Sequence, residues 1–172
     1  MIKRPETFED ILKLQKHLDK NLNNVRPRCL RDIKMSLIAE CVEFNEETKE
    51  SHKTWKTKPY DKEKELEELT DIWFFVAQMV NYFKEYGNLS LLQIERLNKY
   101  FSNDFSEYVE PIGILKIIFY LKSGRMDYEY IKFLIMDLMV LTNQYGYKTY
   151  DILDCYWEKW QKNMKRIGKE WN

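Results

Sequence analysis

The sequence predicts an all-α protein, a helical bundle of about five to seven helices. Three observations carry that reading. Only five Gly and four Pro are spread over 172 residues, too few breakers for a fold rich in tight turns. Apolar residues recur at helical spacing through most of the chain, and no alternating pattern runs longer than a few residues. No internal repeat or low-complexity segment interrupts them, so one domain over residues 1–172 is expected.

The first helix starts at Thr7 as N-cap, with Asp10 at the capping-box position three residues on. Phe8, Ile11, Leu12, Leu14, Leu18 and Leu22 give it an apolar stripe, and Asn23, Asn24 and Pro27 end it. A second helix is expected from Leu30 to Ser51, with Leu30, Ile33, Leu37, Cys41 and Phe44 toward the core. After the basic, aromatic loop HKTWKTKPY, a third runs from Asp61 to Tyr86, with Gly87 as its C′ residue. Its core stripe is Leu66, Leu69, Ile72 or Trp73, Val76, Val80 and Phe83. The pattern then weakens to a short helix over Leu91–Phe101. Pro111 reads as the N1 residue of a helix through ILKIIFYLK that ends at Ser123-Gly124. Tyr128–Tyr145 forms the next, stopped by Gly146, and the last follows Thr149 as N-cap and reaches Gly168.

The second and third helices each carry two carboxylates at i, i+3: Glu40 and Glu43, then Glu68 and Asp71. Twenty-four residues separate Glu43 from Glu68, enough to end one helix, turn, and run another back beside it. One acidic pair on a charged helix usually marks a solvated face. Here both pairs border apolar stripes, and Phe75 and Met79 continue the flank that holds Glu68 and Asp71. Charge in such a place needs a compensating partner. The residues four beyond Glu40 and Glu43 are Phe44 and Glu47, so no basic residue supplies it at that spacing. Oxygen-only ligation favours Mg²⁺ or Mn²⁺ over zinc. Mg²⁺ held by a few carboxylates keeps positions open for water and phosphate. The chemistry indicated is that of phosphate esters or phosphoanhydrides.

Composition narrows the alternatives. Lys+Arg and Asp+Glu both total 28, which gives no electrostatic case for direct binding to nucleic acid. Three cysteines (Cys29, Cys41, Cys155) are an odd number without metal-type spacing, and Cys41, within the apolar pattern of its helix, reads as a reduced packing residue. MIKRPETFEDILKL has neither an apolar signal core nor a cleavage site, and the longest apolar-rich run, Ile72 to Phe83, is far short of a span of roughly 20 residues. The expectation is a cytoplasmic protein that makes no use of a membrane.

Glu40-x2-Glu43 followed by Glu68-x2-Asp71 resembles the metal motif of the all-α nucleoside triphosphate pyrophosphohydrolases, a superfamily that includes MazG-like proteins and the dimeric dUTPases. The C-terminal run Tyr156-x2-Lys159-x3-Asn163-x2-Arg166 is similar to the signature that closes the dimeric dUTPases, with Trp171 where those proteins usually have Tyr. LQKHLD resembles their LQxxLD/N segment and HKTWK their FKxW loop. The resemblance covers about 8–80 and 141–171 and is thin between. Ile167, Glu158 and Trp160 depart from the usual residues beside the signature.

The resemblance implies an intertwined homodimer and Mg²⁺-dependent hydrolysis of dUTP to dUMP and pyrophosphate, with dUDP also accepted. Attack falls beyond the α-phosphorus. Glu40, Glu43, Glu68 and Asp71 would hold two or three Mg²⁺, with Mn²⁺ able to substitute. Whichever of Glu40 and Glu43 is less engaged with metal would activate the water. Lys159 and Arg166 would hold phosphates, and Asn163 and Gln15 would read the uracil edge. Trp55 would pack on the deoxyribose or base, with Lys53 nearby. A homodimer also suits ILKIIFYL and IKFLIMDLMVL, which are more apolar than one amphipathic face requires. Two other readings stand beside this one: a MazG-like enzyme of different or broader nucleotide preference, and a non-catalytic helical protein with the acidic stripe as a docking face.

Overall fold

A computed structural model describes residues 2–22, 24–87, 89–107, 110–122 and 127–169. Those residues form seven helices and no strand: α1 (Phe8–Asn21), α2 (Leu30–Glu47), α3 (Lys62–Tyr86), α4 (Leu91–Phe101), α5 (Ile114–Lys122), α6 (Tyr128–Gln144) and α7 (Thr149–Arg166). No helix among them is long and apolar enough to cross a membrane. Asn23, Ser123, Gly124 and Trp171 lie outside the described residues.

The helix starts follow from local chemistry. Thr7 Oγ1 accepts from Asp10 N at 3.1 Å, and Asp61 and Ser90 cap α3 and α4 in the same manner. Asp32 reaches back to accept from Cys29 N at 2.9 Å and so starts α2. Each such cap satisfies backbone donors that the first helical turn cannot.

Several expected boundaries shift, for identifiable reasons. The second helix ends at Glu47 rather than Ser51, because Thr48 is extended and Asn45 Oδ1 accepts from His52 N, folding the chain back. Pro111 is not N1 of α5. Gln144 accepts from Ile112 N and donates to Glu110 O, both at 3.0 Å, which pins that segment until Ile114. Thr149 is the first helical residue of α7 rather than its cap. Lys148 N donates to Asp151 Oδ2, and Thr149 Oγ1 is drawn off to Phe101 O. α6 stops one residue early, at Gln144, and α7 at Arg166 rather than Gly168. Gly146 takes φ +82°, a left-handed turn that suits glycine. Gly87 does not: its backbone is extended, and no left-handed cap closes α3.

α3 is the organising element. It packs most extensively on α2, and further on α1, α7 and α6. Ile72 and Trp73 are both fully buried, because neighbours enclose this helix on more than one side. Trp73 meets Phe101 and Phe8 edge-on at centroid distances of 5.0 and 6.1 Å, which ties α3 to α4 and α1. Arg28, just before α2, lies over Phe75, whereas Glu40 further along α2 meets Glu68 and Asp71. Positions rising along one helix fall along the other, so α2 and α3 are antiparallel.

Candidate active site

Burial on the α2–α3 seam brings three carboxylates together. One oxygen each from Glu40, Glu68 and Asp71 lies within 4.8 Å of the others. Glu68 is buried and the other two are half-buried. Glu43, one turn beyond Glu40, stands outside this trio and is exposed. Crowded, desolvated carboxylates resist ionisation. Burial, with Asp71, Glu43 and Glu68 nearby, pushes the Glu40 carboxyl up to about 8. Burial also raises Asp71 to about 6, against the opposing pull of Lys159. A divalent cation would let Glu40 and Asp71 ionise side by side, and a set of carboxylate oxygens is what Mg²⁺ prefers. The residues present therefore fit the metal that their spacing indicates.

Beside the trio opens a cavity of about 850 Å³. Glu40 and Asp71 line one part of it; Lys159, Asn163 and Arg166 of α7 line another. Lys159 Nζ donates to Asp71 Oδ2 at 2.5 Å and to Glu67 O at 3.1 Å, so α7 is tethered to the acidic turn of α3. Asn163 is half-buried and Arg166 exposed.

The remaining wall is a polar network set among aromatic rings. Gln15 is buried on α1, where Tyr156 Oη donates to its Oε1 at 2.8 Å and its Nε2 donates to Asp19 Oδ1 at 2.7 Å. Gln78 Nε2 donates to the same Asp19 oxygen at 2.8 Å. A phenol that donates and a carboxylate that only accepts leave the Gln15 amide one orientation. Phe74 stacks on Tyr156 at 3.9 Å, and the Arg28 guanidinium lies 5.1 Å above Phe75. Burial raises the Asp19 carboxyl, in spite of the two amides and the nearby Arg28 charge.

Two expected substrate residues stand apart. Lys53 pairs with Glu46 at 2.7 Å, and Trp55 is 73% exposed; neither lines the cavity. Lys56 binds Glu46 O and Glu47, which holds the same loop on the last turn of α2. That turn lies about 9 Å along the axis from Glu40, at 1.5 Å per residue. Three further wall residues, Asp19, Gln78 and Arg28, have no role that the sequence motifs specify. Asp19 follows Gln15 at i+4 and Gln78 follows Asp71 at i+7, so helical spacing could have found both. Arg28 lies in a link between helices, where spacing says nothing.

Acid on one side of a cavity and cations on another suit a polyphosphate. In an all-α frame, that combination defines the helical nucleoside triphosphate pyrophosphohydrolases as a class. Within the class the sequence is more specific: the dUTPase family profile matches residues 7–171, and the chain belongs to that family. Its activity is that of a dUTP diphosphatase, hydrolysing dUTP to dUMP and pyrophosphate. Among curated proteins, none matches the sequence.

Proposed function

We propose that the α2–α3 carboxylates hold Mg²⁺ against the triphosphate of dUTP, in a single functional unit spanning residues 1–172. The observation that carries this reading is the convergence of Glu40, Glu68 and Asp71 beside a nucleotide-sized cavity. Mg²⁺ bound there supplies neutralisation of the phosphate oxygens and a water of lowered pKa. Glu40, Glu68 and Asp71, with Glu43 the least engaged of the four, would hold two or three ions, for which Mn²⁺ could substitute. We assign the attacking water to Glu43, a reading supported by its place outside the trio. Lys159 and Arg166 stabilise charge on the phosphates from the α7 side. Gln15, held by Tyr156, and Asn163 read the uracil edge. Attack beyond the α-phosphorus puts the water oxygen into pyrophosphate, and dUDP is accepted by the same geometry. Trp171 completes the nucleoside contacts, whereas Trp55 and Lys53, outside the cavity, would join them only by movement of the loop after α2.

The family and the exposed Leu115, Phe119 and Phe133 on α5 and α6 support a homodimer. Three free cysteines agree with a cytoplasmic setting. Calorimetry tests the division of labour among the carboxylates. Wild type should bind Mg²⁺ saturably and Glu68→Gln should lose that binding. Glu43→Gln should retain most of it while kcat falls by about 10²–10⁴-fold. A flat Mg²⁺ titration of the wild type would refute the metal reading.

A further inference from the structure

Two of the three converging carboxylates are each held by a lysine, and the two lysines come from different helices. Lys64, one turn before Glu68 on α3, places Nζ 2.5 Å from Glu68 Oε1 and 3.6 Å from Glu67 Oε2. Lys159 places Nζ 2.5 Å from Asp71 Oδ2. Glu67 bridges the pair, since its backbone carbonyl accepts from Lys159 and its carboxylate also meets Lys162 at 3.2 Å. Ammonium groups therefore sit on two of the three carboxylates that a metal would need, Glu68 and Asp71.

We infer that Lys64 and Lys159 are exchangeable counter-ions of the metal site: each occupies a ligand carboxylate in the metal-free protein and gives it up when Mg²⁺ binds. The inference rests on the metal reading above and adds Lys64 to the site. A Mg²⁺ ion lies about 2.0–2.1 Å from its oxygens. An ammonium on the same oxygen would then face a dication across one atom, and repulsion expels it. Lysine suits this exchange because its charge is a compact point on a flexible stem, with none of the planar two-bond grip of arginine. Each displaced group has somewhere to go. Lys64 is the more exposed of the two and keeps Glu67 as its second partner. Lys159 already lines the cavity with Asn163 and Arg166, so release from Asp71 turns it toward the phosphates. Metal entry and preparation of the phosphate site thus become one event, and the metal-free protein keeps a phosphate-binding lysine occupied.

Lysine acetylation read by mass spectrometry tests this on the wild-type protein without nucleotide. An ion-paired ammonium reacts slowly with an acetylating ester, whereas a released one reacts faster. Modification rates are compared in EDTA and under Mg²⁺ saturation established by calorimetry. Lys13 serves as internal standard, since it pairs with Glu9 and Asp10 on α1. Lys64 and Lys159 should react several-fold faster with Mg²⁺ while Lys13 stays constant. In Lys64→Met, Mg²⁺ should bind several-fold more tightly and the EDTA-treated protein should melt at lower temperature, as Glu68 has lost its counter-ion. Saturable Mg²⁺ binding with both lysines equally protected overturns the exchange and leaves the metal site standing. No Mg²⁺ binding at all overturns both.

Discussion

Glu40 is the residue on which the electrostatics of the site turn. Its ordinary value is 4.5, and in the fold it is held up to about 8 by burial and by Asp71, Glu43 and Glu68. Between those values the folded state keeps a proton that the unfolded chain has lost. Metal-free stability therefore falls as pH rises from about 4.5 through about 8. Melting in EDTA should show that slope, and Glu40→Gln should flatten the part above about pH 6, where Asp71 no longer contributes. Mg²⁺ takes the ionised form, so its binding near neutral pH should release a proton and tighten as pH rises, which calorimetry in buffers of different ionisation enthalpy can measure. At this scale the sequence was informative wherever residues follow helical spacing: Glu40 and Asp71 of the acidic pairs and Lys159, Asn163 and Arg166 of the C-terminal run line one cavity, while Glu43 stands apart. It said little about partners reached through space. The Tyr156–Gln15–Asp19–Gln78 chain joins three helices: spacing sets Asp19 one turn from Gln15, but nothing local records that Tyr156 and Gln78 reach them from other helices.

At the scale of elements, the apolar period located every helix, and its errors fell at the ends. Pro111 and Thr149 both look like start signals, and each is overridden by a distant hydrogen bond, from Ile112 N to Gln144 and from Thr149 Oγ1 to Phe101 O respectively. Gly87 is the opposite case: it does end α3, by a different role from that of a C′ glycine. It is needed for closeness rather than for a left-handed turn. A Cβ there would meet Phe83 O at 2.8 Å and Phe83 Cδ1 at 3.0 Å, at the point where Gly87 N closes the last turn of α3. Gly87→Ala should therefore destabilise the protein by about 1–3 kcal/mol, the usual cost of overpacking. Chemical denaturation should show a lower midpoint with little change in slope. An unchanged midpoint would mean that the end of α3 relaxes freely.

For the whole molecule, one surface lacks an account within a single chain. α5 buries Ile117 and Leu121 yet leaves Leu115 and Phe119 each 76% exposed, with Phe133 of α6 also open. Phe119→Asp should convert a dimer into a monomer by sedimentation, without unfolding it. A wild-type monomer would contradict the proposed assembly. The sequence signalled this surface only as an excess of apolar residues, because composition shows that a face needs cover and not what covers it. The central claim is that the carboxylates on α2 and α3, charged with Mg²⁺, hydrolyse dUTP. Its most direct test is pyrophosphate release from dUTP, dCTP, dTTP and UTP, with Mg²⁺ and with EDTA, by wild type and Asp71→Asn. Turnover confined to dUTP, dependent on Mg²⁺ and lost in Asp71→Asn, is the predicted result; dUTP turnover that persists in EDTA or in the variant would contradict it.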